Sequence, residues 1–387
     1  MIKWRAWVVG GFLLGMVAIA VGGIALLAVT AGVVPIEASS GHWAITEKLL
    51  IFAKERTIAA HSFGRELPPL DNPAWVLEGA GHYEGGCKPC HGSPELRHPR
   101  VPQAMLPPPP DLAEVVPHYT PAELFHIVKH GIKFTGMPAW PDQQRDDEVR
   151  SMVAFLLEYP KLDAAGYRLL VHGAASVPNP PQDMSELAPT AAEVGTVAAK
   201  SCERCHGRDG RGREQPAFPR LAGQRSEYQR QALEAYAAGT RHSGIMQPIA
   251  AALSPDEMRD LARHYEQLDP RVTPSEGDAR PAADQVARGR AIALNGLPAQ
   301  RVPACASCHG PNPERHHAAY PELRGQWVEY LVEQLELFAS GQRGGAHYAH
   351  LMLKVAPHLS PEQMRAVATF YATLPREAPG SLSARGR

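Results

Sequence analysis

The amino-acid sequence predicts an all-α protein in which one transmembrane helix is followed by three helical domains. Three observations predict this fold class. The chain opens on an uncharged apolar run of membrane-spanning length. A Cys-x-x-Cys-His pattern then occurs three times, in repeats of about 100 residues that indicate duplicated domains. Apolar residues at helical spacing close the repeats. With 387 residues, the chain is long enough for several compact cores.

The first 36 residues are predicted to be a cytoplasmic N-terminus and a membrane anchor. Residues 6–34 carry no charge over 29 positions, which as a helix is ~44 Å against a hydrocarbon core of ~30 Å. A secretory signal peptide has an apolar region of only ~7–15 residues. The length therefore favours an uncleaved anchor over a cleaved leader. Lys3 and Arg5 precede the run, so the positive-inside rule places this end in the cytoplasm and the rest of the chain across the membrane.

Residues 37–70 are predicted to connect the anchor to the first domain through a helix. Within the stretch 43–61, apolar residues recur at helical spacing, namely Ile45, Leu49, Phe52 and Ala53. We expect this helix to lie along the membrane surface or against a partner. A plain connector and a core helix are the alternatives.

All six cysteines of the chain belong to the three Cys-x-x-Cys-His patterns. The pairs are Cys87 and Cys90, Cys202 and Cys205, and Cys305 and Cys308, and they are followed by His91, His206 and His309. This pattern is the attachment motif of c-type haem. Two cysteines one helical turn apart reach the two vinyl groups of a porphyrin, and the adjacent histidine comes under the iron. The sequence therefore predicts three covalently bound haem c groups.

Zinc binding and disulfide bonds are the alternatives for these cysteines. A zinc site of four cysteines would combine two pairs but would leave the third pair and the three histidines unexplained. Disulfides are plausible outside the cytoplasm, yet they also leave the histidines without a role. Three complete motifs favour haem over both alternatives.

An internal repeat sets the domain organisation. Residues 218–224 and 320–326 both read aromatic-Pro-x-Leu-x-Gly-Gln, and residues 246–255 and 352–361 both read Met-x₃-Ala-x₂-Leu-Ser-Pro. The first repeat is more distant: it keeps Pro110-Asp111-Leu112 and a closing amphipathic helix from about residue 146 to 159. We define the first, second and third units as residues 71–165, 191–268 and 285–376. The Pro-rich segments 166–190 and 269–284 are predicted linkers, and 377–387 is a tail.

A methionine follows each motif at a similar distance and is a candidate second ligand of the iron. Met137, Met246 and Met352 lie 46, 40 and 43 residues beyond their histidines. Pro138 keeps the Met137 loop from coiling into a helix. A thioether in this position favours Fe(II), raises the potential and leaves no open coordination position.

Several side chains compete with these methionines. Met258 and Met364 correspond to each other, but Val149 takes the same place in the first unit, so that position is predicted to pack rather than to ligate. His242 competes locally with Met246. Around Met352, His347, His350 and His358 could each give bis-histidine ligation instead.

The chain resembles class I cytochromes c repeated three times. The second and third units resemble the small dihaem cytochromes of bacterial respiratory chains, through their Cys-x-x-Cys-His-Gly motifs and the two repeated segments described above. The first unit resembles monohaem domains with a Met-Pro-Ala-Trp loop, here residues 137–140. The resemblance covers nearly everything after residue ~70. It departs from the dihaem pattern at an insertion, residues 295–303, and at four extra residues before Met352.

The resemblance implies the helical cytochrome c fold, in which an N-terminal and a C-terminal helix cross near the haem. Glycines would permit that crossing: Gly79 against Phe155, Gly195 against Tyr265, and Gly289 against Phe370 or Tyr371. In the family, a proline carbonyl accepts a hydrogen bond from the proximal imidazole, and the matching positions are Pro110, Pro219 and Pro321.

The expected function is electron transfer along the periplasmic face of a bacterial inner membrane, by a carrier that is not itself an enzyme. The expected acceptor is a haem–copper terminal oxidase, and the donor is a quinol-oxidising complex or a periplasmic dehydrogenase. An alternative is a cytochrome subunit of a molybdenum, flavin or quinoprotein dehydrogenase complex. A third hypothesis is a multihaem peroxidase-like enzyme with one five-coordinate iron. A formal net charge of −1 argues against a nucleic-acid partner.

Overall fold

The structure is a computed structural model that describes residues 2–34, 37, 40–96, 99–173, 202–271, 281–310 and 316–376. Within these ranges the chain is helical and forms no β-strand. An isolated antiparallel bridge joins Leu297 and Val302. The predicted all-α fold class is confirmed. Residues 174–201, 272–280 and 377–387 lie outside the described residues; they include most of the two predicted linkers, the start of the second unit with Gly195, and the tail.

The N-terminal apolar run forms one continuous helix, α1, at Ile2–Thr30. Its segment Gly11–Thr30 has a mean hydropathy of 2.6, and none of it is buried within the protein. Length and composition are therefore those of a helix able to cross a membrane.

The predicted connecting helix is present as α2, at Ala44–Ser62. Its C-terminal half packs on a later helix, Pro121–His130, where the rings of His61 and His126 stack with centroids 5.4 Å apart. Ile58 is buried, whereas Ile45, Leu49 and Phe52 are exposed. The core-helix alternative therefore applies only to the end of α2, and the described residues leave its apolar N-terminal face uncovered.

The first unit is built from short helices around one crossing pair. Its helices are α3 (Pro73–Gly86), α4 (Lys88–His91), α5 (Arg100–Gln103), α6 (Leu112–Val115), α7 (Pro121–His130) and α8 (Asp146–Glu158). Helices α3 and α8 cross at Gly79, where an added Cβ would collide with the Ser151 carbonyl and lie 2.6 Å from Cβ of Phe155. The crossing that the resemblance implied for this unit is confirmed.

The first unit extends further along the chain than its sequence-based boundary at residue 165. Residues 164–172 form a further helix, α9 (Ala164–His172), which packs on α3. Tyr167 and Val171 are fully buried in the same core as Tyr83 and Phe155. The predicted linker from residue 166 is therefore wrong over its first turns. The cause is aromatic packing: the ring of Tyr167 lies edge-on to Tyr83, with centroids 6.2 Å apart.

The second and third units repeat the same helices. In the second these are α10 (Ser226–Ala237), α11 (Met246–Ala251) and α12 (Pro255–Gln267); in the third they are α13 (Ala283–Asn295), α14 (Ala306–His309), α15 (Val328–Ala339), α16 (Ala349–Val355) and α17 (Pro361–Thr373). Helices α13 and α17 cross at Gly289, where a Cβ would collide with the Ala366 carbonyl and lie 2.9 Å from Cβ of Phe370. This crossing is also as expected.

The insertion at residues 295–303 forms a closed turn rather than an open loop. Gly296 ends α13 with a positive φ of 68°. Leu297 N then donates to the Val302 carbonyl at 2.7 Å, and Val302 is buried with Leu359 and Met364. The insertion thus adds a side chain to the core of the third unit.

Candidate haem sites

Each Cys-x-x-Cys-His motif folds as a short helical turn. The first motif leads into α4, where His91 N donates to the Cys87 carbonyl at 2.9 Å. The third does the same in α14, where His309 N donates to the Cys305 carbonyl at 2.8 Å. Residues 202–206 form the corresponding turn in the second unit. The histidine therefore follows the first cysteine by one turn, as the attachment motif requires.

The three histidines are oriented by the same hydrogen bond. Nδ1 lies 3.2 Å from the Pro110 carbonyl in His91, 3.2 Å from the Pro219 carbonyl in His206, and 3.1 Å from the Pro321 carbonyl in His309. A carbonyl only accepts, so Nδ1 carries the proton and Nε2 keeps its lone pair for a metal. Burial lowers the pKa of all three imidazoles and favours this neutral form, against the opposing effect of the proline carbonyls.

The six cysteines are free thiols in this structure. Burial raises the pKa of Cys87 to about 12 and that of Cys202 and Cys305 to about 11. Across the described ranges, no group of three or more His, Cys, Asp or Glu side chains is arranged to hold a metal ion. The pairs thus stand apart from one another, which disfavours the four-cysteine zinc alternative. Two thiols beside an oriented, neutral imidazole are the donor set that covalent haem c requires.

Met137 lies in an extended loop that the structure anchors at both ends. Ile132 N donates to the Met137 carbonyl at 3.2 Å, and Met137 N donates to Thr135 Oγ1 at 3.1 Å. The thioether of Met105 also lies near this loop. A Cβ added at Gly136 would lie only 2.9 Å from Sδ of Met105, but no spacing pattern marks Met105 in the sequence.

Met246 begins α11, and the preceding loop is held by the first unit. His242 Nδ1 lies 2.8 Å from Oδ2 of Asp142, so the ring of this competitor is held by the first unit. Ser243 Oγ accepts a hydrogen bond from Met246 N at 2.9 Å. Met246 stays the predicted ligand of the second unit, with His242 as its local competitor.

Met352 lies within α16 and packs against the buried residues Phe338, Ala349 and Ala356. The three competing histidines of this region, His347, His350 and His358, are exposed. The rival core positions are buried: Met258 is 5% exposed, Met364 is 4% exposed and Val149 is fully buried. These three side chains pack in the core, as predicted.

The second site adjoins the first through α3, the helix that leads into Cys87. A Cβ on Gly81 would lie 3.1 Å from Sγ of Cys205 and 3.2 Å from the ring of Phe218. One turn later, a Cβ on Gly85 would lie 3.2 Å from the guanidinium of Arg204. The two glycines thus allow the second motif to approach the helix of the first.

The second and third sites are joined by a reciprocal set of hydrogen bonds. Arg220 N donates to Gln326 Oε1 at 3.0 Å, and Gln326 Nε2 donates back to the Arg220 carbonyl at 3.0 Å. Glu322 N donates to Gln224 Oε1 at 2.8 Å, and Gln224 Nε2 returns to the Glu322 carbonyl at 3.0 Å. Arg220 and Glu322 directly follow the prolines that orient His206 and His309. The repeated glutamines therefore link the two haem-binding loops, a role that the sequence repeat alone does not show.

Two family models match the chain. Residues 74–156 match the model described as cytochrome c oxidase, cbb3-type, subunit III. Residues 191–269 and 286–375 match the cytochrome c model. The two models together cover the three motifs.

Characterised relatives are similar to about half of the chain. The thiosulfate dehydrogenase electron acceptor of Stutzerimonas stutzeri (strain A1501) is 36% identical over 192 residues, which is 47% of this chain and 83% of the relative. The protein of the same name from Thiomonas intermedia (strain K12) is 33% identical, over 51% of this chain and 89% of its own. Cytochrome c4 of Azotobacter vinelandii is 31% identical, over 46% and 87%. A solved cytochrome c4 from Acidithiobacillus ferrooxidans is 32% identical, with a TM-score of 0.40, over 46% of this chain and 99% of that one.

Proposed function

This chain belongs to the family of c-type cytochromes, and on that premise we propose that it is a membrane-anchored electron relay with three haem c groups. Members of this family carry electrons on covalently bound haem c. The observation that carries the proposal is the threefold recurrence of a complete site. Each site has two free thiols and a histidine whose Nδ1 is held by a proline carbonyl.

The residues of each site have distinct roles. The cysteines would hold the haem covalently, and His91, His206 and His309 would bind its iron, which when bound supplies the Fe(III)/Fe(II) couple. Pro110, Pro219 and Pro321 fix the imidazole rings. Met137, Met246 and Met352 would be the second ligands, and thioethers in that role would leave no position for oxygen, peroxide or substrate. A closed site changes oxidation state with little rearrangement, which suits a relay rather than an enzyme.

The contacts support an electron path in chain order. The second unit adjoins the first unit where Gly81 meets Cys205, and it adjoins the third unit at the reciprocal glutamines. The second haem would therefore lie between the other two, so that electrons cross the molecule through it.

The count of three is tested by mass spectrometry of the intact protein. We expect a mass increase of three haems, and the double variant Cys305→Ala/Cys308→Ala should retain two. A wild-type protein that carries fewer haems after expression with the haem-attachment machinery would contradict the proposal.

The closed coordination is tested by carbon monoxide binding to the reduced protein. The wild type should bind none, whereas Met137→Ala should bind carbon monoxide at one haem and show a lower potential for that haem. Met152→Leu, which changes a buried core methionine of the same unit, is the control and should behave as the wild type. Stoichiometric binding to the wild type would instead favour the peroxidase-like alternative.

For the partners, we propose a periplasmic dehydrogenase as donor and a haem–copper terminal oxidase as acceptor. The donor is supported by two relatives named as electron acceptors of thiosulfate dehydrogenase. The acceptor is supported by the match of the first unit to an oxidase subunit model. Extraction of the membranes in mild detergent distinguishes the two associations. Oxidase subunits should co-purify if the chain is bound to the oxidase, and a catalytic dehydrogenase subunit should co-purify if it is bound to the dehydrogenase. Co-purification of the dehydrogenase alone would favour a dehydrogenase subunit over a link to the oxidase.

The membrane location is supported by α1, whose apolar segment Gly11–Thr30 is not covered by the described residues. We expect the full chain to stay with inner membranes washed at high pH, and a variant that lacks residues 1–40 but keeps an export signal to be recovered in the periplasmic fraction. Release of the full chain by the wash would contradict the anchor.

A further inference from the structure

Glu148 is a buried carboxylate of the first unit that accepts two of its hydrogen bonds from the second unit. It lies in the first turn of α8 and is 3% exposed. Oε1 accepts from Ser243 Oγ at 2.6 Å and pairs with Arg145 Nη1 at 3.1 Å. Oε2 accepts from Gly244 N at 2.6 Å and from Trp140 Nε1 at 3.1 Å. Three hydrogen bonds and one ion pair thus reach the two oxygens, which is the arrangement of a satisfied buried carboxylate.

Ser243 passes this constraint on to Met246. The Ser243 hydroxyl has one proton, which it donates to Glu148, so its oxygen is free to accept. It accepts from Met246 N at 2.9 Å and from Ile245 N at 3.3 Å. Ser243 is itself 2% exposed, so no solvent competes for these bonds. The Ser243 hydroxyl therefore links the Glu148 carboxylate to the backbone N–H of Met246.

The rest of the loop is held from the same side. Arg145 Nη1 donates to the His242 carbonyl at 2.7 Å, and Asp142 bonds the His242 ring at 2.8 Å. Trp140 lies flush against Gly244, where any Cβ would collide with the indole. Three consecutive residues before Met246 are thus fixed by the first unit.

The residues that correspond to Glu148 in the second and third units, Glu257 and Gln363, cap their own helices. In the second and third units, the third residue of the closing helix caps its own helix start: Glu257 pairs with Ser254, and Gln363 pairs with Ser360. In the first unit, Arg145 replaces the capping serine and makes no side-chain cap. Glu148 is therefore released from capping and reaches the second unit. Because a capping side chain stabilises the start of a helix, this departure weakens the start of α8 in favour of the contact.

We propose that Glu148 is a positioning residue for Met246, through which the first unit sets the axial ligation of the second haem. The inference deepens the proposed function and rests on its assignment of Met246 as a ligand. A buried carboxylate with three hydrogen-bond donors and an ion-pair partner tolerates little movement, because a lost donor leaves a buried polar group unsatisfied. Burial raises the pKa of Glu148, while Arg145, Ser243 and Trp140 oppose the rise.

The test uses the full, haem-loaded chain with Glu148→Ala, and it reads the far-red iron–thioether absorption of the ferric protein together with a redox titration. We expect loss of about one third of that absorption, the share of one haem in three, and a lower potential for one haem only. Ser243→Ala should reproduce both changes. Glu148→Gln, which keeps one acceptor oxygen, should lie between the wild type and Glu148→Ala.

Glu257→Ala is the matched control, since it removes the glutamate at the equivalent position of the second unit and should leave spectrum and potentials unchanged. Met246→Ala separates the ligand assignment of Met246 from the positioning role of Glu148. If Met246→Ala alters the second haem and neither Glu148→Ala nor Ser243→Ala does, the positioning role is wrong while the ligand assignment stands. If Met246→Ala changes nothing, the ligand assignment itself is wrong. Should Glu148→Ala fail to fold, Ser243→Ala and Glu148→Gln decide by the same readouts.

Discussion

Gly79 and Gly289 occupy the same place in two units, where the helix before the haem motif crosses the closing helix. At both positions an added Cβ would collide with a backbone carbonyl, of Ser151 in one case and Ala366 in the other. A backbone carbonyl on a packed helix cannot rotate away as a flexible side chain can. The close crossing therefore depends on the absence of a side chain rather than on the backbone freedom of glycine.

Gly79→Ala is predicted to destabilise the first unit by about 1–3 kcal/mol, since the crossing helices must separate to admit the methyl group. The measurement is denaturant unfolding followed by the haem absorbance of the first unit. Gly85→Ala lies on the same helix and meets only the flexible end of Arg204, so it is the control and should cost less. Equal destabilisation by the two variants would point to helix propensity or docking rather than to the crossing.

At the scale of elements, the loops that follow Pro219 and Pro321 form a reciprocal pair. Each loop presents a backbone N–H and a carbonyl that the glutamine of the other loop binds at once. Gln326 is 4% exposed and Gln224 is 5% exposed, so water does not replace a lost partner. The prolines of these loops orient the histidines, and the pairing therefore ties two sites into one structural element.

Gln224→Ala and Gln326→Ala are each predicted to cost about 1–3 kcal/mol, because each removes two hydrogen bonds to the backbone of the facing loop. The double variant should cost less than the sum, since the two sets of bonds support one interface. Unfolding of the three proteins in denaturant gives the three values. Gln342→Ala, at a glutamine outside this interface, should be close to neutral. Strict additivity would show that the two glutamines act independently.

The sequence predicted elements that are defined by local pattern and missed those that depend on contacts between units. The closing helix at residues 146–158 and the connecting helix at 44–62 follow from apolar spacing. The sequence predicts a linker from residue 166 because nothing local shows that Tyr167 enters an aromatic core. Glu148 likewise has the pattern of an ordinary acidic residue in a first helical turn, and its contacts with Ser243 and Gly244 appear only when the two units are docked.

At the scale of the whole molecule, the first and second units meet at an interface that contains a partly buried histidine. The ring of His82 lies against Trp140, with centroids 4.6 Å apart. Burial, with a smaller contribution from the charge of Arg204, lowers the pKa of His82 to about 4. An unfolded histidine titrates near ~6.5. Between these values the unfolded chain binds a proton that the folded chain does not bind, so acid favours unfolding or undocking of this interface.

The free energy of unfolding is therefore predicted to fall as the pH drops from about 6.5 to about 4, with His82 responsible for at most about 3 kcal/mol of the loss. Above pH ~6.5, His82 is neutral in both the folded and the unfolded chain, so its protonation does not lower the free energy of unfolding there. Other groups titrate in the same window, so the informative quantity is the difference between wild type and His82→Gln. The variant, which cannot be protonated, should show a shallower pH dependence in denaturant unfolding at pH 7.5, 6 and 5. His264→Gln removes an exposed histidine and should keep the wild-type slope. If His82→Gln also keeps that slope, then protonation of His82 does not weaken the interface, and the acid sensitivity of the docked units has another origin.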